Sequence, residues 1–428
     1  MKGTIHERID DFLPIYYGWV ITAACLLTVL SVFSINISFG VFFDSILNDF
    51  DTSRSRISLL FSLQTLSLYL SAALVGNVID RYGTRRLIVV GTGVLVVGIV
   101  ATVTANSFPV LFVAYTLVVG VGMGILYVIG FATVPRWFDR RRGTATAIAT
   151  MGTGFATLAA PPIASVLLET YDWRETYLLF TGVSVCTLLL VAIVIADSPR
   201  SVDVDTGSEF RTRLPESASL EETWSDQLRE SLPTVRSSSF LYLVVGWILV
   251  FIPLYIILVH IVAYSADIGL SRGVGVLALS IMGGMTIPGR LAFGAVGDRI
   301  GRTKLFVFLA FAMNALVFLL PALRTPTLLL AFAASYGLVY GGTAAMLSPI
   351  VADLYGTRYL NTLYGIAALA FGVAATLGPF SAGLTFDVLG TFTPVILASG
   401  VTGMIGAACI YAAVRYEVRD GRTSTSAR

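Results

Sequence analysis

Charge is what this sequence has least of. Asp, Glu, Lys and Arg together make up 13% of its 428 residues, about half of the roughly 25% that a water-soluble domain carries. A chain with so little charge cannot cover itself with a hydrated surface, and its mean hydropathy of +0.83 points to lipid as its surroundings. The net charge of +2, with no basic tract, argues against nucleic acid as a partner. Cysteine is scarce too. Cys25, Cys186 and Cys409 fall in apolar runs without metal-ligand spacing, so they read as small core residues and no metal is expected. The chain also lacks a phosphate-binding loop and any nucleophile constellation. ATP-driven transport and membrane catalysis are therefore disfavoured, no cofactor is expected, and the chain does not read as an enzyme.

Long apolar runs are what it has in abundance. A helix needs about 20 apolar residues to cross a bilayer core. Twelve runs qualify, numbered as spans 1 to 12: 16–43, 55–79, 86–105, 108–135, 143–168, 175–196, 240–266, 273–297, 303–322, 327–352, 359–385 and 391–415. The first, from Tyr17, is too long for the apolar core of a cleaved signal, about 7–15 residues. One long polar stretch separates spans 6 and 7. The predicted organisation is an N-terminal six-helix lobe (1–196), a cytoplasmic linker (197–239) and a C-terminal six-helix lobe (240–428). Within the linker Leu220, Trp224, Leu228 and Leu232 recur every four residues. That pattern fits a short amphipathic helix lying on the membrane surface, or a disordered loop with scattered apolar residues.

Lys and Arg orient the spans. With both termini cytoplasmic, only Arg54, Arg56, Arg174, Arg272 and Arg324 fall outside, and Arg290 alone lies within a span. The rest of the 28 basic residues lie inside, as the positive-inside rule requires of a multi-pass protein of the cytoplasmic membrane. Trp137 and Phe138, before the Arg140–Arg142 cluster, fit an interfacial aromatic belt.

The sequence repeats itself. Gly76, Asp80, Arg81, Gly83 and Arg86 recur 218 residues later as Gly294, Asp298, Arg299, Gly301 and Lys304, after the second span of each half, and Pro161 and Pro379 share the offset. Two halves related by a parallel repeat place substrate between them, near the bilayer midplane. The repeated element resembles the signature loop of the major facilitator superfamily. The resemblance implies that Asp80 addresses the start of span 11 and Asp298 the start of span 5, with the basic residues as braces. A carboxylate gains at a helix N-terminus, so these loops form a latch that must break in the transport cycle.

A narrower resemblance covers most of the chain. Tyr17-Gly18-Trp19, Arg136 to Gly143, Ala160-Pro161-Pro162 and Tyr171 to Arg174 are similar to the monocarboxylate and oxalate/formate transporter branch. So are Val259 to Tyr264, Asn361 to Gly365, Gly378-Pro379 and Phe386-Asp387. The resemblance implies a fold of twelve transmembrane helices in two pseudo-symmetric six-helix bundles and a small organic anion, a monocarboxylate, as substrate. A monomeric transport unit is expected.

Arg290 in span 8 is the candidate for holding the anion. A buried cation is costly and tends to face a water-filled cavity or a partner, and the branch places an Arg in this span to bind the substrate carboxylate in a forked geometry. Alternatively its long side chain snorkels to the cytoplasmic interface. His260, in the outer half of span 7, has an ordinary pKa near 6.5 and is read as an external proton acceptor or gate, or as a hydrogen-bonded structural residue. Tyr127, Asn36, Gln64 and Thr286 are polar groups that could line the cavity, or join helix to helix.

Departures from the branch narrow the substrate. By the resemblance, Ile37 stands where the animal monocarboxylate transporters carry a Lys and Thr286 where they carry an Asp, and Phe371 stands where the oxalate exchangers carry a Lys. One buried cation suits a monoanion better than a dianion. No carboxylate lies mid-span, so a proton is only a candidate co-substrate and the coupling mode stays open. The alternative is a drug or metabolite exporter of the same superfamily with a non-anionic substrate. Against it, Ala156 and Ala160 replace glycines of the exporter motif in span 5.

Overall fold

The computed structural model describes residues 16–75, 82–134, 137–138, 142–196, 224–356 and 359–419. Every element among them is helical. Twelve helices of 20 to 33 residues are long and apolar enough to cross a membrane. They are α1 (Tyr17–Asp49), α2 (Arg54–Val75), α3 (Thr84–Val103), α4 (Phe108–Phe131), α5 (Thr144–Leu168) and α6 (Trp173–Val194), followed by α7 (Ser238–Asp267), α8 (Arg272–Gly297), α9 (Arg302–Ala322), α10 (Pro326–Tyr355), α11 (Thr362–Leu389) and α12 (Thr393–Glu417). Val97, Val166, Val183, Leu190 and Phe308 project outward, a surface that only lipid can cover. Several expected ends shift by a few residues, two of them past a carboxylate. α1 continues past residue 43 to Asp49, and α11 past 385 to Leu389. Hydropathy falls at Asp44 and Asp387, but both carboxylates have partners inside the protein, so the helices do not stop there.

The two halves pack alike. In the first, α1 touches α5 and α6, α2 touches α4, and α3 touches α4 and α6. In the second, α7 touches α11 and α12, α8 touches α10, and α9 touches α10 and α12. Adding six to each helix of the first set yields the second, so these are two pseudo-symmetric six-helix bundles. They meet through α2 on α11, α5 on α8 and α1 on α7. Small residues permit the closest of these approaches. A Cβ on Gly283 of α8 would lie 2.2 Å from Thr157 of α5; within the second half, one on Gly337 of α10 would lie 2.1 Å from the Met282 carbonyl of α8.

The turns into α3 and α9 also correspond. Gly83 and Gly301 cap these helices with φ of 82° and 98°, a region open to glycine and strained for other residues. This is the tight turn the repeated motif predicts. Gly76, Asp80 and Arg81 lie outside the described residues, as does the side chain of Asp298. Gly294 lies within the α8 helix, while Arg86 and Arg299 are exposed. In the linker a helix forms over Trp224–Val235, and Leu220 lies outside the described residues. This helix touches α11, and Tyr359 donates to the Glu230 carboxylate.

Trp137 and Phe138 do not form an interfacial belt. Both are buried, Trp137 completely, against the opening turn of α1: Tyr17 packs on Trp137 at 5.6 Å and Trp19 on Phe138 at 4.9 Å. Of the cysteines only Cys25 is buried, and Cys186 is exposed, where lipid accepts a thiol as readily as a core does.

Candidate functional site

Arg290 sits where α8 crosses α5. Its Nη1 donates to the Thr150 carbonyl at 3.0 Å and its Nη2 to the Thr153 hydroxyl at 2.9 Å. α5 is interrupted here: one helical segment ends at Thr150 and the next begins at Gly152. A guanidinium at a helix C-terminus meets the negative end of its dipole. The cation is thus held across the two halves, inside the protein. Its Nε is buried without a hydrogen-bond partner. Tyr340 of α10 and Tyr364 of α11 lie close enough to interact with it electrostatically.

Both tyrosines belong to a run of rings. Tyr364 contacts Trp247 at 6.2 Å, Trp247 stacks on Phe371 at 5.6 Å and 11°, and Phe371 meets Tyr69 at 5.9 Å. Tyr69 meets Tyr127 at 5.5 Å. Phe251 joins Tyr340 to Phe371 by a second route. Tyr127, on α4, therefore belongs to the same wall as Arg290, on α8. The other polar candidates are placed differently. Asn36 Nδ2 donates to Gln64 Oε1 at 2.9 Å and to Thr65 at 3.1 Å, and Gln64 Nε2 faces the Met123 sulfur at 2.9 Å. Gln64 is fully buried, so these amides are committed to one another between α1, α2 and α4. Thr286 bonds the Gly283 carbonyl at 2.7 Å and is buried where α8 passes Gly154 and Gly341.

On the face opposite the repeated loops, the halves are tied together. Asp44 of α1 pairs with Arg54 of α2 at 3.3 Å and with Arg272 of α8 at 3.0 Å. Asp387, at the end of α11, accepts from the backbone N–H groups of Arg54 and Ser55 at 3.0 and 2.9 Å. A carboxylate from one half thus caps a helix of the other. Arg54 also lies over the Phe386 ring at 4.5 Å. His260 is buried just beneath. Its Nε2 is 3.1 Å from the Pro379 carbonyl and 3.3 Å from the Ser58 hydroxyl, with the Phe43 and Phe392 rings at 5.2 and 5.1 Å. His260 and Arg290 share no contact; each serves its own layer of the interface.

The stretch from Tyr171 to Arg174 also finds partners. Asp172 caps α6 by accepting from Glu175 N–H at 2.8 Å. Trp173 and Arg174 reach Asp49 at the end of α1 at 3.2 and 2.7 Å. Sequence reasoning missed the tyrosine wall and the Asp44–Arg272 pair. A signal for the first was available, because Tyr69 and Tyr340 are phenols inside their spans, where a hydroxyl needs a reason.

The family model described as Major Facilitator Superfamily matches residues 24–321 and again 263–428. Monocarboxylate transporter 12-B of Danio rerio is 25% identical, over 96% of this chain and 90% of its own length. Monocarboxylate transporter 13 of Bos taurus is 24% identical, over 91% and 88%. The MFS-type transporter pynF of Aspergillus niger is 25% identical, over 79% and 74%. With the duplicated six-helix plan, the matched glycine turns and a family model that spans nearly the whole chain, this protein belongs to the major facilitator superfamily and is a transporter.

Proposed function

We propose that the protein is a secondary active transporter that moves a small organic monocarboxylate across the cytoplasmic membrane by alternating access. Arg290 carries this reading. It is a guanidinium on the helix pair that joins the halves, within electrostatic reach of two tyrosines, with its Nε N–H unspent while Nη1 and Nη2 hold α5. A carboxylate takes such a fork in two parallel charge-assisted bonds. The relatives named monocarboxylate transporters support the same substrate class. Tyr127 lines the path, and Thr286, Asn36 and Gln64 keep its walls in place.

In this reading residues 1–196 and 240–428 move as two lobes about the 197–239 linker, both termini are cytoplasmic, and one chain is the transport unit. The tied face is the external one, closed here by Asp44, Asp387 and His260. Asp80 and Asp298, with Arg81, Arg86 and Arg299, latch the cytoplasmic face in the other half of the cycle. A proton is the candidate co-substrate. The test is uptake of a panel of labelled carboxylates into proteoliposomes, with and without a pH gradient. Accumulation of at least one monocarboxylate is expected. Uptake of neutral solutes alone would assign the protein to the exporters of its superfamily.

A further inference from the structure

We infer that the site at Arg290 takes an aryl carboxylate, a monoanion whose body is a flat aromatic ring, in preference to a short aliphatic acid; this rests on the assignment of Arg290 to the carboxylate. Three observations carry it. First, the groups leading away from the cation are rings. Starting at Tyr364, four ring-to-ring steps of 5.5 to 6.2 Å pass through Trp247, Phe371 and Tyr69 to Tyr127. An acid of two or three carbons bound at Arg290 would reach only the beginning of that wall. A ring-bearing acid extends along it, and aromatic faces prefer offset-stacked or edge-on partners.

Second, Phe371 occupies the centre of the wall, packed between Trp247 and Tyr69, and presents no charge to the far end of a ligand. That end must be uncharged. Third, Tyr127, Tyr340 and Tyr364 are half-buried, and their hydroxyls make no hydrogen bond to a described residue. By contrast Tyr264 bonds the Leu320 carbonyl at 3.0 Å. Tyr340 and Tyr364 lie within electrostatic reach of Arg290, and a phenol hydroxyl is a donor that suits a carboxylate. Tyr127, on the opposite half, can meet a hydroxyl on the ring, since a phenol both donates and accepts.

The experiment measures ligand-induced thermal stabilisation of the full chain in nanodiscs, with benzoate, 4-hydroxybenzoate, cyclohexanecarboxylate, propionate and benzamide. Cyclohexanecarboxylate matches benzoate in charge and bulk but has no flat face. The aryl acids are expected to act at concentrations about tenfold lower than cyclohexanecarboxylate, with propionate weaker still. Phe371→Leu should narrow that gap to about threefold or less. Tyr364→Phe, which keeps the ring and removes one donor, should weaken every acid alike. Equal potency of benzoate and cyclohexanecarboxylate overturns the aryl preference and leaves the carboxylate assignment standing. If benzamide stabilises as well as benzoate, or no acid stabilises at all, the assignment of Arg290 falls and the aryl preference falls with it.

Discussion

Arg54 and Arg272 open the second helix of each half, 218 residues apart, and converge on one carboxylate, Asp44. The repeat supplies the two cations symmetrically but not the anion, for the position equivalent to Asp44 is Val262. A single acid on α1 therefore closes the seam from both sides. The two pairs are not equal. Arg54 is 21% exposed and Asp44 10%, whereas Arg272 is 61% exposed. The Arg54 pair lies in the drier surroundings, where charges attract more strongly, and the Arg272 pair is open to water and salt.

Asp44→Asn should therefore open the face on which Asp44 lies. In a background without native cysteines, a cysteine replacing the buried Ser58 should be labelled from that face several-fold faster. Arg54→Ala should act in the same direction and strongly, since truncating one member of a mostly buried pair leaves the other uncompensated. Arg272→Ala should act weakly, by about 0–1 kcal/mol as for exposed pairs, and its effect should vanish at high salt. Labelling at the parental rate in all three variants would remove Asp44 from the closure.

Asp387 makes a different prediction, because it acts as a helix cap and not as an ion-pair partner. Asp387→Ala leaves the Arg54 and Ser55 N–H groups without an acceptor, a loss of about 0.5–2 kcal/mol. That corresponds to a shift of about twofold to thirtyfold toward opening of that face. Asp387→Asn keeps an acceptor and should recover most of it. A variant pair that behaves alike would assign the effect to charge.

Much of this fold was legible because hydropathy reports directly on lipid. All twelve spans, the duplicated loops and the glycine turns follow from run length and spacing. Hydropathy does not report on partners within the protein. Asp44 and Asp387 looked like helix ends because a carboxylate lowers the local average, yet each is satisfied by the other half. Trp137 looked like a headgroup anchor because indole favours interfaces, yet Tyr17 and Phe138's neighbour Trp19 bury that stretch. Arg290 was visible as a lone cation in an apolar run. Its partners on α5 were not, because they are a threonine hydroxyl and a carbonyl exposed by a helix break. The tyrosine wall draws on helices 2, 4, 7, 10 and 11, and no sequence window contains it.

His260 separates gating from proton carriage. For Nε2 to donate to the Pro379 carbonyl, the proton must sit on Nε2. Nδ1 is buried without a partner. Gln can supply a comparable donor but cannot carry a proton at working pH. His260→Gln should thus keep both exchange and uptake driven by a pH gradient, while His260→Leu, which leaves the carbonyl unpaired, should impair both. Selective loss of gradient-driven uptake in the Gln variant, with exchange intact, would make His260 the proton acceptor.

Arg290 gives the sharpest prediction. Charge-assisted hydrogen bonds to a carboxylate are worth about 1.5–3 kcal/mol each, so losing the guanidinium should reduce monocarboxylate binding by tenfold or more. Arg290→Lys keeps the charge without the fork; it should bind more weakly and discriminate less among carboxylates. Arg290→Ala should abolish anion transport while the protein still folds and inserts, because a buried cation is itself a cost. The guanidinium also ties α8 to α5, so loss of the tie must be distinguished from loss of the ligand site. Thr153→Val removes the α5 hydroxyl and leaves the cation in place. Its affinity for the carboxylate should stay within about threefold of the parent, since a weak neutral acceptor competes poorly with an anion. Should Thr153→Val fail as badly as Arg290→Ala, or should Arg290→Ala transport at the parental rate, Arg290 is a brace between the halves and the anion binds elsewhere.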